Sequence, residues 1–170
     1  YFKIFSEFIN KRDVIVDAMC GPAFFSFLLY RKGFRNITCF DISTEVINTT
    51  RALFRKHHFD RARIFVSDAE KIKLPDKYAD FVFVTTSLHH LPDMSEAALE
   101  IKRILKDGGY FVAFEPNALN PYSLYRHTEE KKSGEASKNE KLPTPNSIKN
   151  AFKTAGFSDV RVYTFRFLPN

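Results

Sequence analysis

The chain has 170 residues, 44% of them hydrophobic, which suits one compact domain with a sizeable core. Its formal net charge of +6 permits an acidic partner, but Lys and Arg are scattered through every segment, so there is no clear nucleic-acid or membrane signal. No apolar run is long enough to cross a membrane. Cys20 and Cys39 lie in or beside apolar segments, which is typical of reduced thiols in a cytoplasmic protein.

Apolar residues that recur with a helical period alternate with short β-branched runs. Because the sequence does not begin with Met, we expect residues 1–170 to form a single domain that is truncated at both ends. In chain order, the pattern predicts a helix at 2–9, a strand at 14–19, a helix at 21–33, a strand at 36–41, a helix at 43–57, strands at 62–68 and 79–87, a helix at 93–105, a strand at 110–115, a helix at 145–156 and a strand at 159–167.

This alternation is typical of an α/β fold, a doubly wound, mostly parallel sheet with helices on both faces. The second to fifth strands are nearly continuous apolar runs, as a sheet buried on both faces requires. The charged stretch 127–141 breaks the pattern because it has almost no apolar residues with which to form a core. It predicts a mobile insertion, which is either a passive linker or a lid over the substrate.

Polar residues end the predicted strands one after another. In an open parallel sheet, the carboxyl ends of the strands form the crevice in which ligands bind. Asp17 ends the first strand and Asp41, 24 positions later, ends the second, which suits an acidic group on ribose hydroxyls. The residues that end the next strands are Asp68, Thr86 with Ser87, and Glu115.

The loop after the first strand, in VDAMCGPAFFS, has the outline of a nucleotide-binding turn but contains a single glycine, Gly21. A dinucleotide needs further glycines so that the pyrophosphate can approach, and amide groups at the helix N-terminus to hold it. Pro22 has no amide hydrogen, and the bulky Phe24 and Phe25 follow it. The loop therefore favours a phosphate-free nucleoside joined to an amino acid, whose ammonium group Asp17 would bind directly or through water.

Five motifs together carry a family resemblance: VDAMCGPA, CFDIS, VSDAEKIKLPDKYADFVFVTTSLHHLPD, RILKDGGYFVAFEPN and AFKTAGFSDVRV. Over residues 13–167, the chain resembles the class I S-adenosylmethionine-dependent methyltransferases, of the small-molecule group that includes the quinone-biosynthesis C-methyltransferases. The third motif is the most specific of the five. The resemblance implies a Rossmann-like sheet with strand order 3-2-1-4-5-7-6, of which we expect the seventh strand to be absent from this chain.

The resemblance also implies S-adenosylmethionine as cofactor and S-adenosylhomocysteine as its product. Met19 and Ala23 stand where the family usually has glycine. The implied contacts are Asp17, Ala18, Met19 and Gly21 around the methionine end, Asp41 on the ribose hydroxyls, Ile42, Asp68 and Ala69 at the adenine, and Thr86 and Ser87 near the sulfonium.

A methyl group on a sulfonium needs mainly alignment with its acceptor and exclusion of water, so a base is required only where the acceptor loses a proton. His89 and His90 directly follow the fourth strand and are the candidate catalytic residues, because histidine titrates near neutral pH. Their adjacency, and the spacing of the cysteines, indicate no metal site. Candidates for acceptor binding are Glu115, Tyr122 and Tyr125, whereas His57, His58 and His127 are expected on the surface.

The segment after the fourth strand reads TSLHH. Methyltransferases that act on the amino groups of nucleic-acid bases usually have an Asn/Asp-Pro-Pro-aromatic run there, so a small-molecule acceptor is favoured. Two other functions stay open. One is a non-catalytic methyltransferase-like binding module, in which Met19 closes the cofactor pocket; the other is a nicotinamide-dependent reductase, which the missing glycines disfavour.

Overall fold

A computed structural model of the protein describes residues 2–134, 136 and 140–164. Helices and strands follow one another in the predicted order as far as the fifth strand; an unpredicted helix then precedes the predicted helix that ends before Gly156. None of the described helices is both long and apolar enough to cross a membrane. The elements are α1 (Phe2–Phe5), β1 (Ile15–Ala18), α2 (Phe24–Arg31), β2 (Ile37–Asp41), α3 (Thr44–Lys56), β3 (Arg63–Val66), β4 (Ala79–Thr85), a 3-10 turn (Leu88–His90), α4 (Ser95–Ile104), β5 (Leu105–Phe114), α5 (Pro121–Ser133) and α6 (Pro145–Thr154).

The five strands form one parallel sheet in the order β3-β2-β1-β4-β5. In the middle, Ile15 of β1 is in register with Ile37 of β2 and with Phe81 of β4. The chain steps from β1 through β2 to β3 at one edge and then returns to place β4 on the other side of β1. This confirms the predicted doubly wound sheet, and it brings the ends of β1 and β4 together where the strand order reverses.

The central strands are buried on both faces. Along β4, Phe81 and Phe83 pack with residues of α1, α2 and α3, while Val82 and Val84 pack with residues of α4 and α6. The ring of Phe5 lies 5.5 Å from that of Phe81 and 4.9 Å from that of Phe83, between centroids. Burial of each such side chain stabilises the fold by roughly 1.5–3 kcal/mol. This gain explains why the many phenylalanines lie mainly in the core.

The outer strands β3 and β5 are only partly buried. The expectation that the second to fifth strands are all buried on both faces is therefore wrong for these two. A strand at the edge of a sheet has a neighbour on one side only, and the helix layers cover the middle of the sheet more completely. Composition alone does not separate an edge strand from a central one.

The strand predicted at 159–167 is not formed over 159–164, and residues 165–167 lie outside the described part of the chain. A strand needs a hydrogen-bonded neighbour. In the implied strand order that neighbour is the seventh strand, and no described element occupies its place beside β5. The alternation of apolar residues was therefore insufficient to specify a strand.

The charged stretch 127–141 is not a continuous loop, because its first seven residues complete α5. The helix begins where the Asn120 side chain accepts a hydrogen bond from the Tyr122 amide, and it ends at Gly134, whose φ of 79° is left-handed. His127, expected on the surface, is only 7% exposed. The sequence pattern missed this helix because it has no apolar stripe, and His127 is its only buried residue among those described.

Candidate functional site

A cleft of about 380 Å³ lies at the carboxyl ends of β1, β2 and β4. Its volume falls within the range of about 300–1,000 Å³ that is usual for small-ligand sites. The strand order makes β1 the neighbour of both β2 and β4, which is why their ends meet. The predicted residues that line the cleft are Asp17, Met19, Gly21, Asp41, Thr86, Ser87 and His90.

The loop after β1 has a left-handed backbone at every second residue. The φ angles are 52° at Met19, 51° at Gly21 and 51° at Ala23. Met19 and Ala23 thus adopt the conformation that glycine accommodates without strain, at the two positions where the sequence departs from glycine. A residue with a side chain costs roughly 1–2 kcal/mol there. Backbone bonds from Cys20 N to the Phe40 carbonyl and from Ala23 N to the Cys20 carbonyl hold the turn.

Asp17, at the end of β1, is 1% exposed. Its Oδ2 accepts a hydrogen bond from the Ser26 hydroxyl at 2.7 Å, whereas its Oδ1 has no hydrogen-bond partner among the described residues. Burial raises the pKa of Asp17 to about 8; the bond from Ser26 opposes this rise and the charge of Asp41 adds to it. The site therefore holds a carboxyl group that a cationic ligand would help to ionise.

Asp41, at the end of β2, connects the loop that follows β1 with the loop that follows β2. Its Oδ2 accepts a hydrogen bond from the Gly21 amide at 2.9 Å, and its Oδ1 accepts one from the Ser43 amide at 2.9 Å. Each carboxylate oxygen has a second lone pair, so further donors such as ribose hydroxyls can still bind. The hydroxyl of Thr50 also donates to the Gly21 carbonyl, at 3.2 Å.

Thr86 and Ser87 form the wall of the cleft at the end of β4. Thr86 has a φ of 53°, which is strained for a β-branched residue, and its amide donates to the Phe114 carbonyl at 2.7 Å. The Ser87 hydroxyl donates to the Met19 carbonyl at 3.0 Å. This bond ties the end of β4 to the loop after β1.

Glu115 is buried behind the cleft, and the structure does not place it among the lining residues. Its Oε1 accepts hydrogen bonds from the amides of Ser87 and Leu88, each at 2.8 Å. Its Oε2 lies 2.7 Å from Nδ1 of His89. Glu115 therefore fixes the start of the 3-10 turn and the orientation of the His89 ring.

His90 lines the cleft and is the more exposed of the two adjacent histidines. Its ring lies 4.2 Å from the ring of His89, between centroids. Its Nδ1 lies 3.0 Å from Oε2 of Glu140, whose other oxygen lies 3.2 Å from Nδ1 of His127 on α5. The charged stretch thus reaches the site through a buried carboxylate.

Residues 140–143 form a strap along this side of the site. The Lys141 amide donates to the His89 carbonyl at 3.1 Å. At the other end, the Ala118 amide donates to the Pro143 carbonyl at 2.9 Å. Main-chain hydrogen bonds therefore hold the strap at both of its ends.

Several predicted site residues lie outside the cleft. Tyr122 and Tyr125 are 53% and 64% exposed on α5, so the structure does not bring them to the cleft. Ala18 is buried in the sheet, whereas Ile42 is exposed just beyond β2. Two further predicted residues follow β3, the exposed Asp68 and the buried Ala69.

Residues 16–113, more than half of the chain, match a protein family described as "Methyltransferase domain". The chain belongs to this methyltransferase family. The match begins within β1 and ends within β5, so it includes all or nearly all of every strand of the sheet described above.

Curated relatives of this chain include enzymes of quinone biosynthesis. It is 26% identical to the ubiquinone/menaquinone biosynthesis C-methyltransferase UbiE of a Bradyrhizobium species, covering 86% of this chain and 66% of that protein. It is 22% identical to the demethylmenaquinone methyltransferase of Listeria welshimeri, covering 66% of this chain and 48% of that protein. The sterol 4-C-methyltransferase strm-1 of Caenorhabditis elegans is 32% identical over 37% of this chain and 19% of its own length. The chain thus spans less than two thirds of each relative.

Solved structures share the fold of this chain. The YcgJ protein of Bacillus subtilis superimposes with a TM-score of 0.76 at 16% identity, over 91% of this chain and 65% of that chain. An S-adenosylmethionine-dependent methyltransferase of Methanosarcina mazei gives 0.72 at 20% identity, over 91% and 84%. One from Aquifex aeolicus gives 0.67 at 21% identity, over 91% and 78%. These likenesses confirm the class I methyltransferase fold.

Some residues in and beside the cleft were not identified from the sequence. The buried Glu140 gave no sequence signal, since it lies in a charged stretch and reaches the site only through tertiary contacts. Phe24 and Phe25 directly follow the loop after β1, and this position was a sequence signal that they line the cleft. The unpredicted lining residues are Cys20, Pro22, Phe24, Phe25 and Thr85.

Proposed function

We propose that this chain transfers the methyl group of S-adenosylmethionine to a small-molecule acceptor. The observation that carries the proposal is the buried carboxyl of Asp17, whose Oδ1 has no hydrogen-bond partner among the described residues. Asp17 lines a cleft that also contains Asp41. A nearby positive charge favours the ionised form of such a group, and the amino-acid end of this cofactor provides an ammonium.

The residues present fit the cofactor. Asp17 would hold the ammonium, Asp41 the ribose hydroxyls, and the backbone of Gly21 the methionine end. When bound, the cofactor supplies an electrophilic methyl group, and the chain contributes alignment and exclusion of water. The other proposed contacts are Ala18 and Met19 beside the methionine end, Ile42, Asp68 and Ala69 at the adenine, and Thr86 and Ser87 near the sulfonium.

A small-molecule acceptor is supported by the names of the curated relatives, two of which act in quinone biosynthesis and one on sterols. We propose that the acceptor lies beside His90, which lines the cleft and could take a proton from it. His89, held by Glu115, would position the neighbouring ring. Direct contact of the acceptor with Glu115, Tyr122 or Tyr125 remains a sequence-based prediction. We further propose a cytoplasmic location, since Cys20 and Cys39 are buried free thiols.

Calorimetry with S-adenosylhomocysteine tests the proposal without knowledge of the acceptor. The wild-type chain should bind it, and Asp17→Asn should weaken binding by about tenfold to a hundredfold, because a charge-assisted hydrogen bond is lost. Asp60→Asn is the matched control, since Asp60 is exposed just beyond α3, and it should leave the affinity unchanged.

Three outcomes separate the alternatives. Absence of binding at millimolar ligand would favour a non-catalytic module with a closed cleft. Tighter binding of NAD than of S-adenosylhomocysteine would favour a nicotinamide-dependent reductase. Equal affinities of the wild type and Asp17→Asn would show that Asp17 does not hold the amino-acid end.

A further inference from the structure

Two histidines and a glutamate from distant segments meet beside the cleft. His89 and His90 follow β4, whereas Glu140 follows α5. One ligand atom from each of the three lies within 4.8 Å of the other two. We propose that His89, His90 and Glu140 form a binding site for a divalent transition-metal ion of the zinc class. Adjacent histidines alone gave no such indication in the sequence; the fold adds the carboxylate.

The His89 ring is prepared for a metal ion by the buried Glu115. The Glu115 carboxylate accepts hydrogen bonds, so Nδ1 of His89, at 2.7 Å from Oε2, carries the ring proton in the neutral imidazole. Nε2 is then the unprotonated nitrogen. A carboxylate that orients a histidine in this way is the usual support of a metal ligand in proteins.

His90 and Glu140 lie at the separation expected of two ligands on one ion. Nδ1 of His90 lies 3.0 Å from Oε2 of Glu140. A zinc ion holds nitrogen and carboxylate oxygen at about 2.0–2.2 Å, so ligand atoms around one ion lie about 3 Å or slightly more apart. Because a ligand atom of His89 lies within 4.8 Å of these two, modest movements of the three side chains would bring all of them to one ion.

Glu140 is fixed in place before any ion binds. Its side chain is only 5% exposed, and the Lys141 amide next to it donates to the His89 carbonyl. Nδ1 of the buried His127 lies 3.2 Å from Oε1 but makes no hydrogen bond among the described residues. The buried carboxylate of Glu140 therefore lies between the imidazoles of His90 and His127.

A second trio, His127, Glu130 and Glu140, shares the same carboxylate. It is the weaker site for a transition metal, because it offers one imidazole and because Glu130 forms an ion pair with Arg126. Two imidazoles and one carboxylate suit zinc and related ions better. His90 is 53% exposed and lines the cleft, so an ion bound by the first trio would border the acceptor side, and His90 would act as a base only in the metal-free chain.

Calorimetric titration of the chain with Zn²⁺ tests the site directly. We expect one ion per chain, and at least tenfold weaker binding for Glu140→Gln and for His90→Asn. The matched controls are Glu129→Gln, on the exposed face of α5, and His58→Asn, at an exposed histidine that also has a histidine neighbour. Both controls should bind Zn²⁺ like the wild type. Cobalt(II) absorption in the visible range should change with the same variants.

The proposal is overturned if the wild type binds no Zn²⁺, if Glu140→Gln and His90→Asn bind it as tightly as the wild type, or if His58→Asn abolishes binding. Should Glu140→Gln fail to fold, as judged by circular dichroism, the exposed His90→Asn decides alone. Zn²⁺ binding is measured without cofactor or acceptor, so its outcome does not depend on the proposed methyl transfer.

Discussion

The amide of Gly21 donates to Oδ2 of Asp41 at 2.9 Å, so the end of β2 holds the loop that follows β1. The same carboxylate is the proposed partner of the ribose hydroxyls. One side chain therefore shapes the cleft and is the proposed contact of the cofactor, so its substitution should affect both stability and binding.

For Asp41→Ala, we expect S-adenosylhomocysteine affinity to fall by roughly 2–4 kcal/mol, because a charged acceptor of two hydroxyls is lost. The free energy of unfolding should also fall, by about 1–2 kcal/mol, since the amides of Gly21 and Ser43 lose their acceptor. Asp41→Asn keeps one carbonyl oxygen and should lose less of each. Calorimetry and urea unfolding measure the two effects, and an Asp41→Ala variant with normal affinity would remove Asp41 from the cofactor site.

Cofactor binding should depend on pH through Asp17. Because its pKa is about 8 in the folded chain, the carboxyl is mostly protonated at pH 6.5, and binding of an ammonium to the carboxylate must release a proton. Affinity for S-adenosylhomocysteine should rise between pH 6 and 7.5, by at most about tenfold per pH unit. Calorimetry in buffers of different ionisation enthalpy detects the released proton. Asp17→Asn should show no such release; an equal release from both proteins would contradict the assignment.

The same carboxyl should affect stability in the absence of ligand. The pKa of Asp17 is raised from 3.8 to about 8 on folding, so its favourable contribution is complete below pH 3.8 and is lost as pH rises through about 8. The loss is on the order of 1.4 kcal/mol per pH unit between those values. Urea unfolding at pH 6 and 7.5 should therefore show about 2 kcal/mol more loss in the wild type than in Asp17→Asn. Parallel pH profiles would be the contrary result.

Ala23→Gly should be nearly neutral for stability. Ala23 has a φ of 51°, so glycine relieves backbone strain, which offsets the greater freedom of the unfolded chain and the lost methyl contact. We expect a change below about 0.5 kcal/mol in the free energy of unfolding. Ala151→Gly, the control in α6, should cost about 1 kcal/mol. If the two substitutions cost the same, the left-handed conformation at Ala23 is wrong.

Glu115→Ala should destabilise the chain by roughly 2–4 kcal/mol, because the amides of Ser87 and Leu88 and the ring of His89 lose their buried acceptor. Glu115→Gln retains one oxygen and should cost less. Glu129→Ala, at an exposed ion pair on α5, should stay within about 0.5 kcal/mol of the wild type. Urea unfolding of the three variants provides the comparison, and a wild-type stability for Glu115→Ala would contradict the buried role.

Much of the site was predictable because it depends on local patterns. Short apolar runs that end in polar residues placed Asp17, Asp41 and Ser87 correctly at the carboxyl ends of adjacent strands. Glu140 was not predictable, since it contacts His90 and His127, which lie in other segments of the chain and approach it only in the folded structure. The failed strand at 159–164 has the same cause, because pairing depends on a neighbour and not on the strand's own composition.

Main-chain hydrogen bonds fasten the strap of residues 140–143 at both ends, to His89 and to Ala118. Such bonds do not depend on side-chain identity, apart from the amide that proline lacks. The side chains of Lys141 and Leu142 can therefore be exchanged while the strap stays attached. Evolution, or a combinatorial library limited to these two positions, can therefore alter a second pocket, which Lys141 and Leu142 line together with Leu88, without rebuilding the sheet that carries the main cleft.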